Sequence, residues 1–110
     1  MKPFHKEMAG GRWMKIPFLE QMAHTGSEME RAITWSGKGN RDYARQAFFR
    51  AIELLDLTIG DKKNLSRLKE LTRLREMLAD FFFFDNEYKS SASGWQKYFH
   101  AFMYASRSRR

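Results

Sequence analysis

The sequence predicts an all-α protein, an antiparallel up-and-down four-helix bundle preceded by an N-terminal arm. Three observations carry that expectation. Leu65, Leu68, Leu71, Leu74, Met77, Leu78 and Phe81 recur at three- and four-residue intervals, the period of one helix face. Proline is absent after Pro17 and no stretch alternates with period two, so strands find no support. Short polar links holding Gly37, Gly39 or Gly60 separate the periodic segments, and short links favour antiparallel neighbours.

Residues 1–15 contain Pro3, Gly10 and Gly11 and no sustained periodicity, and are expected to be an arm that is mobile or docks on something else. The bundle is expected over 16–106 and a basic tail over 107–110. A first helix starts at Pro17, which a first turn tolerates, and carries Phe18, Met22, Met29 and Ile33. The run Ser36 to Asn40 ends it, and Asn40 is a good N-cap for a second helix over Arg41 to Ile59. Ala44, Ala47, Phe48, Ala51, Ile52, Leu55 and Ile59 form its apolar stripe, and Gly60 stops it. Asn64 is expected to cap the third helix. After a loop over Asp85 to Ala92, Ser93 and Gln96 make a capping box for a fourth helix rich in aromatics: Trp95, Tyr98, Phe99 and Phe102.

The formal charge of +7 is unevenly placed. The tail from Lys89 onward holds Lys89, Lys97, Arg107, Arg109 and Arg110 and no acid, whereas residues 17–88 are nearly balanced. A cationic cluster without nearby acids suits a polyanion such as RNA or DNA, contacted through its phosphates. The chain has no cysteine, which removes disulfides and thiolate metal sites and makes a reducing cytoplasm the natural setting. No apolar run approaches the ~20 residues that span a bilayer, so no membrane partner is expected.

Catalysis finds little support. The two-metal site of some four-helix bundles needs Glu-x-x-His pairs, and none occurs; Glu20 with His24 one turn later is the nearest pattern, and a solvated contact explains it. No phosphate-binding loop or Ser-His-acid arrangement is recognisable, and the Arg-to-His spacing of helical RNases of the HEPN type is missing. The acids Glu53, Asp56 and Glu76 alternate with basic residues and read as solvated ion pairs. An enzymatic site on them would require all three to face inward. No catalytic residue, metal or cofactor is expected.

The phosphate-binding candidates are therefore Arg107, Arg109 and Arg110, then Lys97, Arg73 and Arg75, with Tyr104 placed to stack a base beside the basic terminus. Phe81 to Phe84 make a second signal. A helix turns about 100° per residue, so four successive aromatics cannot all enter one core. Phe82 and Phe84 are the expected protein interface, with another subunit or a larger protein.

The order of an amphipathic helix over residues 40–54, a polar link, the segment Leu71-Thr72-Arg73-Leu74-Arg75-Glu76-Met77-Leu78, and a closing helix with an early Trp and terminal arginines resembles two families of small four-helix-bundle proteins. These are the accessory variability determinants of diversity-generating retroelements and the proteins encoded in intervening sequences of bacterial large-subunit ribosomal RNA. The resemblance covers about residues 40–106. It implies a basic, ring-forming bundle that helps a reverse transcriptase handle RNA. The acids on the second and third helices depart from that pattern. The expected function is a non-catalytic accessory bundle that binds RNA or DNA and self-associates or docks on a larger protein. The alternative is a protein-binding adaptor with no nucleic-acid role.

Overall fold

A computed structural model describes residues 11–108, and four α-helices dominate them: α1 (Phe18–Gly37), α2 (Arg41–Ile59), α3 (Leu68–Phe83) and α4 (Ala92–Ser108). Short 3-10 turns at Arg12–Lys15 and Lys62–Arg67 precede α1 and α3. The helices run up, down, up and down. Phe18 at the start of α1 meets Phe102 near the end of α4, and Phe48 early in α2 stacks on Phe82 at the end of α3. No strand occurs among the described residues, and none of their helices is long and apolar enough to cross a membrane.

The α1–α2 turn forms as its residue types require. Gly39 takes the left-handed φ of 79° that a side chain would strain, and Asn40 Oδ1 accepts the Tyr43 N–H at 3.1 Å to start α2. The core collects Met22, Met29 and Ala32 from α1, Phe48 and Leu55 from α2, Leu71, Leu74 and Leu78 from α3, and Trp95 and Phe99 from α4. Each fully buried leucine or phenylalanine contributes about 1.5–3 kcal/mol. Ala44, Ala47 and Ala51 keep the buried stripe of α2 thin, so α1 approaches closely. Gly26 does the same for α4: a Cβ there would stand 2.8 Å from Phe99 Cβ. Across the α1–α2 seam the buried Glu28 carboxylate accepts Arg50 Nε at 2.9 Å, and within α1 it accepts Arg31 Nη1 at 3.0 Å.

Several expectations are corrected here. Residues 12–15 belong to the fold rather than to an arm, because Trp13 is fully buried and its Nε1 donates to Thr58 Oγ1 at 3.0 Å. Residues 1–10 of the expected arm lie outside the described residues. Asn64 does not cap α3. Its amide is buried and donates to Gln21 Oε1 and to the Thr58 carbonyl, both at 3.0 Å, while Asp61 Oδ1 accepts the Lys63 N–H and starts the 3-10 turn. That turn shifts the helical phase, so Leu65 and Leu68 of the expected apolar stripe are exposed. At α4 the capping oxygen is Ser91 Oγ, which accepts the Gly94 N–H at 3.0 Å. Gln96 reaches Glu30 on α1 instead of completing a capping box.

One buried network closes the end of the bundle where α1 begins and α2 ends. Gln21 Nε2 donates to the Trp13 carbonyl at 3.0 Å and to Asp61 Oδ2 at 2.9 Å, and Lys63 pairs with the same carboxylate. Burial alone would raise the Asp61 pKa, but the hydrogen bonds from Lys63 and Gln21 outweigh it and hold the carboxyl below its ordinary 3.8. A depressed carboxyl pKa contributes stability that is present above the unfolded value and lost as pH falls through the folded one. Stability should therefore fall as pH drops below about 3.8. Urea unfolding of Asp61→Asn beside wild type, across acidic pH, should show a shallower pH dependence in the variant; parallel curves would remove Asp61 from the acid response.

Candidate nucleic-acid interface

α4 supplies the principal face. The segment 92–108 contains no Asp or Glu, so its cations meet no acid from their own helix. Lys97, Tyr104 and Arg107 are spaced by seven and three residues, which places them along one side, and all three are exposed. Tyr104 is 75 % exposed, which leaves its ring open beside the cations. Neither Lys97 nor Arg107 forms an ion pair with a described residue, so both charges are available to a ligand. Toward α1 the face is bordered by a groove of about 250 Å³ between His24 and Ser27 on one side and Met103 and Arg107 on the other, with Glu20 at its margin. His100 stands 3.5 Å from Glu30 on the same border.

The other predicted cations divide. Arg73 is exposed on α3 and has no ion pair among the described residues. Arg75 is committed locally: its Nε donates to Asp56 Oδ1 at 2.6 Å and its Nη2 to Oδ2 at 3.3 Å, a two-pronged bridge from α3 to α2. The Asp56 hydrogen bond raises the Arg75 pKa above its ordinary value. That places Arg75 among structural pairs rather than open phosphate ligands, and it leaves Asp56 outside, with Glu76 also exposed, instead of inward as an acid-built active site would require. Arg109 and Arg110 lie outside the described residues. Lys97, Tyr104 and Arg107 are brought to one face of α4, and Arg73 stands on α3.

The phenylalanine run is split by the end of α3. Phe82 is half-buried and stacks on Phe48 with ring centroids 4.4 Å apart, so its main contact is within the chain. Phe84, just past the helix, is 72 % exposed, and Phe83 turns partly outward against Phe49. The outward pair is therefore Phe83 and Phe84.

A second cationic cluster is less legible in the sequence. Arg41 and Arg45, one turn apart on α2, line a groove of about 260 Å³ with Ser36, Phe82 and Phe83. Neither guanidinium has an ion pair among the described residues, and Lys38 lies nearby, 5.2 Å from the Trp35 ring centroid. In the sequence these arginines stand beside Asp42 and Glu53, which reads as a balanced face; only the fold sets them against the phenylalanines.

Tyr98, on α4 and within reach of the Glu70 charge of α3, is removed from any acid-base role near neutrality, since burial and that charge push its pKa up to about 12. Among the described residues no cluster of three or more His, Asp and Glu side chains has the arrangement of a metal site. Searches for a matching protein family, a related curated protein and a similar solved structure each find no match to this chain.

Proposed function

We propose that the protein is a non-catalytic accessory bundle that binds RNA or DNA through its phosphates. The observation that carries this reading is the acid-free outer face of α4, where Lys97 and Arg107 lack ion pairs among the described residues and flank the exposed ring of Tyr104. Cations of this kind neutralise phosphates and release counterions, and an exposed aromatic beside them can stack an unpaired base. A single strand fits that pairing best, because its bases are open to stacking. Arg73 and the tail residues Arg109 and Arg110 extend the same role. Phe84, with Phe83, docks the bundle on a second copy or on a larger protein, and the resemblance of the chain suggests a reverse transcriptase as that larger protein.

A second reading rests on a different observation, the open phenylalanine surface at the end of α3. In it the protein is an adaptor whose only partner is another protein. The two readings separate in one experiment. Replacing Lys97 and Arg107 by alanine should weaken binding to single-stranded RNA and reduce the salt slope by roughly 0.7 for each phosphate no longer neutralised. Tyr104→Ala should weaken binding by about 1–3 kcal/mol without changing that slope. Equal affinity for wild type and both variants would favour the adaptor.

A further inference from the structure

The loop between α3 and α4 is built more firmly than a connection requires. The buried Asp80 carboxylate accepts the N–H groups of Glu87 at 2.9 Å and Tyr88 at 3.1 Å. Asn86 brackets the segment from the other side, its amide donating to the Ser90 carbonyl at 2.8 Å and its Oδ1 accepting the Ser90 N–H at 2.9 Å. Asn86 and Lys89 both take left-handed backbone, with φ of 53° and 55°. Strain of this kind persists where surrounding bonds fix it, and it is concentrated at ligand-holding segments.

The segment so held forms one wall of a groove of about 320 Å³, at the small end of the range for ligand sites. Its apolar side is Met77, Tyr88 and Trp95, and its polar side is Lys89, Ser90 and Ser91. Two atoms of these lining residues, Trp95 Nε1 and Ser90 Oγ, are buried without a hydrogen-bond partner among the described residues. Trp95 is only 6 % exposed, and its indole N–H can only donate. Buried polar groups are nearly always paired, so two on residues that line one groove call for a partner. The Lys89 ammonium and the first turn of the 17-residue α4 favour negative charge there, no acid lines the groove, and the Asp80 carboxylate behind Tyr88 is taken up by the Glu87 and Tyr88 N–H groups.

We propose that this groove binds the phosphate of one nucleotide, held by Lys89, Ser90 and the α4 N-terminus with Trp95 Nε1 as the deepest donor, while the base lies against Tyr88 and Met77. Both unpartnered atoms are closed off from solvent, so the nucleotide moves an exposed neighbour such as Tyr88 or Lys89 aside to reach them. The nucleotide is either free or the terminal residue of a strand; the phosphate chemistry is the same. The site shares no residue with the α4 face of Lys97, Tyr104 and Arg107, so the two stand or fall separately.

The test follows the indole N–H signals of the full chain by nuclear magnetic resonance, with that of Trp95 identified through Trp95→Phe. Adenosine monophosphate should move the Trp95 signal and leave that of Trp13 in place. Trp95→Phe should weaken binding about tenfold, as expected for a missing hydrogen bond to a charged group. Lys89→Asn removes the charge at an exposed position while tolerating the left-handed backbone, and should weaken binding severalfold without altering the fold. Alanine at Lys97 and Arg107 should leave the mononucleotide response unchanged. Stronger binding of a 5′-phosphorylated oligonucleotide than of its 5′-hydroxyl form assigns the site to strand ends, and equal binding of the two assigns it to free nucleotide. A Trp95 signal unmoved at millimolar nucleotide, unaltered affinity in Lys89→Asn, or inorganic phosphate binding as well as the nucleotide would each overturn the proposal.

Discussion

Gln21→Ala should destabilise the protein by about 3 kcal/mol while leaving the helices themselves intact. The side chain is fully buried and serves three partners: the Trp13 carbonyl, the Asp61 carboxylate and the Asn64 amide. Removing it leaves those groups buried and short of a hydrogen bond, at about 1–3 kcal/mol each when no water enters. Their effects will not add, because all three belong to one network. A domain with total stability of roughly 5–15 kcal/mol would lose a large part of it. The 3-10 turn at Trp13 should loosen at its carbonyl, while the burial of the indole, its Thr58 bond and the Lys63 bond to the Met14 carbonyl keep it in place. Urea unfolding should show a lower midpoint with an unchanged slope. An exposed control, Gln46→Ala, should change stability by less than about 0.5 kcal/mol.

Gly26→Val should cost a comparable amount for a different reason. Two effects oppose one another at this site. Alanine in place of a mid-helix glycine gains about 1 kcal/mol of helix propensity, whereas overpacking costs about 1–3 kcal/mol. The close approach decides between them, since a Cβ would stand 2.8 Å from Phe99 Cβ and 3.1 Å from its ring, and that ring is itself buried. Phe99 cannot swing away without displacing Trp95 and Tyr98, which its ring touches. Gly26→Ala should therefore be mildly destabilising, and valine, with two further methyl groups and lower propensity, clearly so. Combining Gly26→Val with Phe99→Ala should cost less than the sum of the two changes. Strict additivity would mean that α1 and α4 do not press together at Gly26.

How much of this is open to a reader of the sequence depends on whether a residue's partner is local. The bounds of α2 follow from Asn40 and Gly60, whose roles are played within a few residues, and the structure places that helix over the expected Arg41 to Ile59. Asn64 has the same local appearance as Asn40. Its amide is taken by residues on α1 and α2, a demand that no nearby sequence records. Trp13 reads as part of an arm because a single aromatic has no period; its partner Thr58 is 45 residues away.

The candidate interface divides in the same way. The α4 face is legible, since the absence of acids from that segment is a property of the segment itself. The commitment of Arg75 to Asp56 is not, because helices α2 and α3 must pack before the two meet. Phe82 and Phe84 differ by two residues, yet the end of α3 falls between them and gives one to Phe48 and the other to solvent. The groove at Trp95 is invisible in the sequence, where Ser90 and Ser91 look like ordinary loop residues.

Binding of the full chain to labelled single-stranded RNA across a salt series, with its mass determined in the same buffers, is the decisive test of the nucleic-acid role. Micromolar or tighter affinity is expected at low salt, with log affinity falling linearly with log salt at roughly 0.7 per phosphate neutralised. The mass would show whether one bundle or several present the charge. Negligible binding at low salt, or affinity indifferent to salt, would refute that role and leave the phenylalanine surface as the basis of what the protein does.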